Sequence, residues 1–171
     1  MASDLETAVA ELRDRIVHPE QSAFLDYWFS RSRAGRLPAR CDLDPLDFPS
    51  LLPRIALIDV LTEAGRFGFR YRLAGTEIVG RARRDPTGKR FEELYGGDYL
   101  AQAQALYQQI AASGVPHLSR RIYPVEEGRE TLSYHRLILP LASDGAAVDM
   151  MVLLIAVIDQ QRLDDAMEVF R

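Results

Sequence analysis

Tyr134-His135-Arg136 places an imidazole between a phenol and a guanidinium, and of all stretches in this 171-residue chain it most directly suggests proton transfer. A histidine serves as a general base when a carboxylate orients it within hydrogen-bond reach. Asp59, an acid inside an apolar run, is the partner to consider. An acid in such surroundings is also a marker for a functional site. The simpler reading gives Asp59 a backbone donor or an arginine such as Arg70 or Arg72, and gives His135 an ordinary hydrogen-bonded place in a strand.

Other groups suggest anion or metal chemistry less completely. Arg81, Arg83 and Arg84 could hold an anion near a helix start, although a basic run is more commonly a solvated face. Gly75-x-x-x-x-Gly80 is no phosphate loop, because no Lys-Ser/Thr follows it. Gly96-Gly97-Asp98 resembles the start of the diguanylate-cyclase signature, but it continues as Tyr99-Leu100 and opens a helix rather than a hairpin. His18, His117 and His135 are distant in sequence and Cys41 is the single cysteine, which gives no metal-site spacing. No catalytic or metal-binding set is assigned.

The elements that must position these groups follow from patterning. Ser3-Asp4-Leu5-Glu6 reads as a capping box, and Leu5, Ala8, Val9, Leu12 and Ile16 predict an amphipathic helix over 4–17. A second helix over 19–34 carries Phe24, Leu25 and Trp28 and stops at Gly35. Its apolar stripe must be buried on its own domain or in a dimer seam. Pro38, Pro45, Pro49 and Pro53 predict an irregular connector with one short helical turn near 45–52.

Strand patterning begins at 55–62. Phe67, Phe69, Tyr71 and Leu73 then alternate with Gly68, Arg70 and Arg72, and Glu63-Ala64-Gly65 links the two runs as a hairpin. Short helical pieces fill 76–97, and Asp98 caps a longer helix over 98–113 that Gly114 and Pro116 end. Three strands follow over 117–125, 131–141 and 147–158, joined through Glu126-Glu127-Gly128 and Ser143-Asp144-Gly145, with a short helix or frayed end over 160–170. Two strands, several helices and three strands predict an α+β fold, a five-stranded antiparallel sheet with helices on one face.

Bulk properties set limits. The length suits one domain with additions. The longest apolar run, Met150–Ile158, is too short for a membrane span and well suited to a buried strand. Acids at Asp4, Glu6, Glu11 and Asp14 interrupt any signal-peptide core, and a lone cysteine suits a reducing compartment, so a cytoplasmic location is expected. The net charge of −4 conceals a basic middle: residues 31–90 hold 13 basic and 7 acidic side chains, against 8 and 18 elsewhere. That middle suits an anionic ligand or an acidic partner, while the acidic total speaks against nucleic acid.

The chain resembles a bacterial group of standalone PAS-domain-like proteins, common in alphaproteobacteria and with no assigned ligand. The resemblance is carried by Leu37-Pro38-Ala39-Arg40 with Asp42-Leu43-Asp44-Pro45, then Leu51-Leu52-Pro53 and Leu57-Ile58-Asp59-Val60. It continues through Tyr71-Arg72-Leu73-Ala74-Gly75-Thr76, Thr87-Gly88 and Leu139-Pro140-Leu141 with Asp144-Gly145. It implies a PAS-like sheet and a ligand- or partner-sensing role, and it brings no catalytic residues. In a PAS-like strand order the last strand separates Asp59 from His135 by two spacings, about 9.6 Å, too far for a direct bond. A flavin site of the LOV type needs a reactive cysteine on a helix, and Cys41 lies in the connector, so that flavin is disfavoured. Heme on the long helix is disfavoured because 98–113 contains no histidine, which leaves heme on His117 or His135 open.

The expected organisation is a helical extension over 1–36, a Pro-rich connector over 37–54, a PAS-like core over 55–159 and a tail over 160–171. The expected site lies between the inner sheet face and the helices. Phe67, Phe69, Tyr71 and Leu73 would line or support it from the sheet, and Phe91, Leu94, Leu106 and Ile110 would do so from the helices. Tyr134 and Arg136 would complete it, with the His135/Leu137 face the open alternative. The expected function is sensing of an unknown small molecule or a signalling protein, with no membrane and no nucleic acid involved, and with a homodimer through the N-terminal helices as one option. Two alternatives stand beside it. One is an interaction module without a pocket, and the other a small enzyme using Asp59, His135 and Tyr134.

Overall fold

The computed structural model describes residues 2–126 and 130–162. Helices α1 (Ala2–Arg15) and α2 (Pro19–Arg31) lead into three short 3-10 turns at Arg40–Asp42, Pro45–Asp47 and Pro49–Arg54. Strands β1 (Ile55–Glu63) and β2 (Arg66–Ala74) form a hairpin, followed by α3 (Thr76–Ala82), α4 (Phe91–Leu94) and α5 (Gly97–Ser113). Strands β3 (His117–Glu126), β4 (Glu130–Leu141) and β5 (Met150–Arg162) complete one antiparallel sheet of order β2-β1-β5-β4-β3. Among the described residues no helix is long and apolar enough to cross a membrane.

Local sequence explains most boundaries. The β1–β2 hairpin turns on Ala64 and Gly65, both at positive φ, the geometry whose twist matches that of paired strands. Helix α2 ends at Arg31, four residues before Gly35, because residues 33–36 fold back in a bridge between Arg33 and Arg36, with Ala34 and Gly35 at positive φ. Helix α1 begins ahead of Ser3, so Ser3 is not its cap. Helix α5 is capped at Gly96, with Asp98 inside its first turn rather than at the cap. Strand β5 starts at Met150 instead of 147, since the Asp144 carboxylate accepts from the backbone N–H groups of Ala146 and Ala147 and holds that stretch as a loop. The Glu127-Gly128 link and the tail from 163 onward lie outside the described residues.

The sheet is covered on both faces. Its inner face packs Ala56, Ile58, Phe69, Tyr71, Ile138, Met151 and Leu153 against Phe91, Ala103, Tyr107 and Ile110 of the central helices. Its outer face packs Ile55, Leu57, Leu137, Leu139, Leu141, Val152 and Leu154 against Leu5, Val9 and Leu12 of α1 and Phe24, Leu25 and Trp28 of α2. The apolar stripe of α2 is therefore buried on its own sheet. Trp28 fixes it there, its indole N–H donating to the Pro140 carbonyl at 3.0 Å. Strands sandwiched in this way lose the wet–dry alternation and read as continuous apolar runs, as β1, β4 and β5 do.

Candidate functional site

Strand β4 presents alternate side chains to opposite faces of the sheet. Leu137 enters the outer core and Ile138 the inner one, so Tyr134 and Arg136 share the inner face while His135 shares the outer. Beside Tyr134 and Arg136 lie Leu153 and Ile155 of β5, and these four form the floor of a cavity of about 430 Å³. Tyr71 of β2 closes one side. Ile78, Arg81 and Ala82 of α3, then Arg84 and Pro86, close another, and Tyr95 and Tyr99 at the approach to α5 complete the wall. The size and the mix of apolar surface with a few convergent polar groups are those of a small-molecule site.

The polar groups of the cavity have an uneven charge. Arg81, Arg84 and Arg136 line it, and no carboxylate does among the described residues. Arg84 donates to the Leu94 carbonyl at 2.7 Å and lies over the Tyr95 ring, and Arg81 lies 3.6 Å from Glu77 one helical turn away. Arg136 has no such partner. It is 93% buried, its Nε reaches only the Ser119 hydroxyl at 3.3 Å, and its Nη2 makes no hydrogen bond. The tyrosines around it are neutral: burial raises the pKa of Tyr71, Tyr95 and Tyr134, and pushes that of Tyr107 up to about 12. Burial opposes the Arg136 charge, and coupling to the tyrosines as they ionise at high pH raises its pKa above the usual value, so at neutral pH it is a cation among neutral phenols. The Tyr71 and Tyr95 hydroxyls lie 2.9 Å apart and form a polar ledge on the wall.

The residues expected from sequence divide into three groups. Tyr71, Tyr134 and Arg136 line the cavity. Phe69, Phe91 and Ile110 are buried in the inner core, with Leu94, Leu106 and Phe67 packed partly against it, so they support the wall rather than line it. Leu73 belongs to neither group. The pairing slips between Leu57 and Ile58, whose partners are Leu73 and Tyr71, so Arg72 is a bulge and Leu73 turns to the outer face. There it borders a separate apolar groove of about 490 Å³ with Leu43, Phe48, Leu52, Ile55 and Leu57. That groove is larger, but Arg40 is its only charged lining residue, and it lacks the convergence of polar groups. Tyr95, Tyr99, Leu153 and Ile155 are lining residues that the sequence argument does not reach. The spacing of Tyr95 and Tyr99, four apart at a helix start, is the one signal that could have suggested two of them.

Asp59, His135 and Tyr134 do not converge. Asp59 is buried on the outer face, where Arg70 donates to Oδ2 at 2.8 and 3.1 Å and Arg72 to Oδ1 at 2.6 Å. Strand β5 separates it from β4. His135 lies mid-strand, as the simpler reading has it, with its carbonyl accepting from Gln21, but its Nδ1 is buried without a hydrogen-bond partner among the described residues. Burial, then Arg120 and Arg15, lower its pKa; burial, then Arg136 and Arg15, lower that of His117. Both imidazoles therefore protonate more readily in the unfolded chain. Their contribution is present above the ordinary value near 6.5 and is lost as pH falls through the depressed folded values. Thermal midpoints are expected to fall as pH drops below about 6.5, and to fall less in the double variant His117→Gln, His135→Gln.

A family model described as PAS domain matches residues 16–155. No curated protein matches the chain. Among solved structures, the LOV protein of Rhodobacter sphaeroides matches at 16% identity and a TM-score of 0.44, with 64% of each chain covered, so the chain spans less than two thirds of that protein. A light-oxygen-voltage domain studied with a flavin analogue matches at 11% identity and a TM-score of 0.47, over 73% of this chain and 88% of that one. The LOV domain of the blue-light photoreceptor Aureochrome1 matches at 13% identity and a TM-score of 0.44, over 72% and 93%. At these identities the likeness is one of fold. It nonetheless corrects the cofactor expectation: the argument from Cys41 against a LOV-type flavin does not hold, since the matching structures are LOV domains. A cysteine bears on a covalent bond to a flavin, whereas occupancy depends on the shape and polarity of the whole pocket.

Proposed function

The chain belongs to the PAS domain family, and from that premise we propose that it is a cytoplasmic sensory domain that takes a small molecule into the cavity between the inner sheet face and α3–α5. The observation that carries this reading is the cavity itself, where Tyr71, Tyr95, Tyr134 and three arginines converge over the apolar floor of Leu153 and Ile155. An interaction module with a filled core, and an enzyme built on Asp59 and His135, are each less well supported by this geometry. In the proposed organisation residues 55–159 sense, and the helices of 1–36 report to a partner protein. Gln21 of α2 supports such a link: its side-chain amide donates to the carbonyls of His135 and Leu154, one residue from the floor positions Arg136 and Ile155. A ligand shifts such a link only by its differential affinity for two arrangements.

Native mass spectrometry of the purified chain, compared with its denatured mass, tests the reading. A reproducible extra mass is expected, and it should disappear in Ile155→Trp, which fills the floor. A bare chain, together with a metabolite extract that shifts the melting of wild type and Ile155→Trp alike, would falsify it.

A further inference from the structure

Among the described residues lining the cavity, Arg136 is the one with a fully buried side-chain polar atom that has no hydrogen-bond partner. A buried guanidinium is costly unless it is paired and hydrogen-bonded, and the described residues offer Arg136 a neutral serine hydroxyl and a ring of neutral tyrosines. The other two arginines of the cavity already have protein partners, at Glu77 and at the Leu94 carbonyl. A planar fork of donors with a free Nη2 is matched by two oxygens sharing one negative charge, as in a carboxylate or a phosphate. The remainder of the cavity suits a different part of the same molecule, because Ile78, Leu153 and Ile155 are apolar and Tyr71 and Tyr95 offer aromatic rings.

From this we infer that the ligand is a small organic anion, with a carboxylate or phosphate end on Arg136 and an apolar, preferably aromatic, body over Leu153 and Ile155. Arg81 and Arg84 add positive potential at the wall and draw such a molecule in at low salt. The inference rests on the ligand-binding reading above and names the chemistry of its ligand.

The test uses the full chain and a matched pair of probes, 3-phenylpropanoate and 3-phenylpropanamide, which share a shape and differ in charge. Thermal unfolding and calorimetric titration are followed in wild type, Arg136→Met, Arg136→Lys and Ile155→Trp. The carboxylate is expected to raise the melting temperature of wild type and the amide to leave it unchanged. Arg136→Met is expected to weaken carboxylate binding by about thirtyfold or more, with Arg136→Lys intermediate. Without any probe, Arg136→Met is expected to melt above wild type, since it replaces an unpaired buried charge by an apolar chain of similar length. A merely structural arginine would give the opposite sign.

Equal binding of acid and amide, or an acid response that survives Arg136→Met, overturns the inference. If Ile155→Trp blocks both probes in that case, the pocket reading stands and only the charge assignment falls. If both probes bind Ile155→Trp as they bind wild type, the pocket reading falls as well. No binding of either probe at millimolar concentration, with Arg136→Met melting below wild type, also overturns it. Phenyl phosphate in place of the carboxylate separates the two sources: stronger binding assigns a phosphate end, weaker binding a carboxylate.

Discussion

Gly75→Ala is expected to destabilise the fold by about 3 kcal/mol or more, the upper range for forcing atoms into a filled space. A Cβ at this position would overlap the carbonyl oxygens of Leu52 and Pro53, which are backbone and cannot rotate away. The backbone conformation of Gly75 is one any residue could adopt (φ −65°, ψ 158°), so the requirement is for space, not for an unusual φ. The closeness has a purpose. The Gly75 N–H donates to the Ile55 carbonyl at 2.8 Å, which clamps the end of β2 onto the start of β1 just before α3 begins. Chemical denaturation of Gly75→Ala against wild type measures the cost. A loss below about 1 kcal/mol would mean that the 49–54 turn can move aside, and that this clamp is looser than described.

Trp28→Ala is expected to cost a similar amount, about 3–5 kcal/mol, the range for emptying a site of this size in a core. Trp28 is fully buried, and its loss would also leave the Pro140 carbonyl without its indole partner. Truncation should act locally first, loosening α1 and α2 from the outer face while the inner core stays packed. Hydrogen exchange is the discriminating measurement. Amides of α2 should lose protection, whereas those of α5 should keep most of theirs; equal loss in both would mean that the two cores unfold as one unit.

How far the sequence was legible depended on whether one face or two were covered. The Ala64-Gly65 hairpin, the three closing strands and the helix between Gly97 and Gly114 follow from local rules about turns, apolar runs and stops. A run such as Met150–Ile158 announces a buried strand, but burial on both sides removes the period that would say which side each residue takes. Leu153 and Ile155 were for that reason out of reach as site residues, and the two faces of β4 could not be ranked. Leu73 went astray for a narrower reason. Arg72 occupies a slot that looks like regular alternation, and only its bond to Asp59 and the slipped pairing reveal that it is an extra residue. The position of α1 and α2 was equally undetermined, since the stripe Phe24, Leu25 and Trp28 would look the same facing a second copy.

The two rims of the sheet differ in what they offer a neighbour. Along β2, Tyr71 already exchanges backbone hydrogen bonds with the 88–89 segment, and Arg70 bridges to Arg90, so that rim is occupied at its centre by the chain itself. Along β3 the outer backbone groups have no strand beside them among the described residues, although Pro124 removes one donor from that strand. An exposed rim is a template for strand addition. The Leu118 carbonyl of β3 accepts from the Arg15 side chain, and the rest of that rim is the more open of the two among the described residues. Two copies meeting β3 to β3 around a two-fold axis would use up the more open rims and leave only the half-occupied β2 rims outside, which favours a closed pair over a fibre.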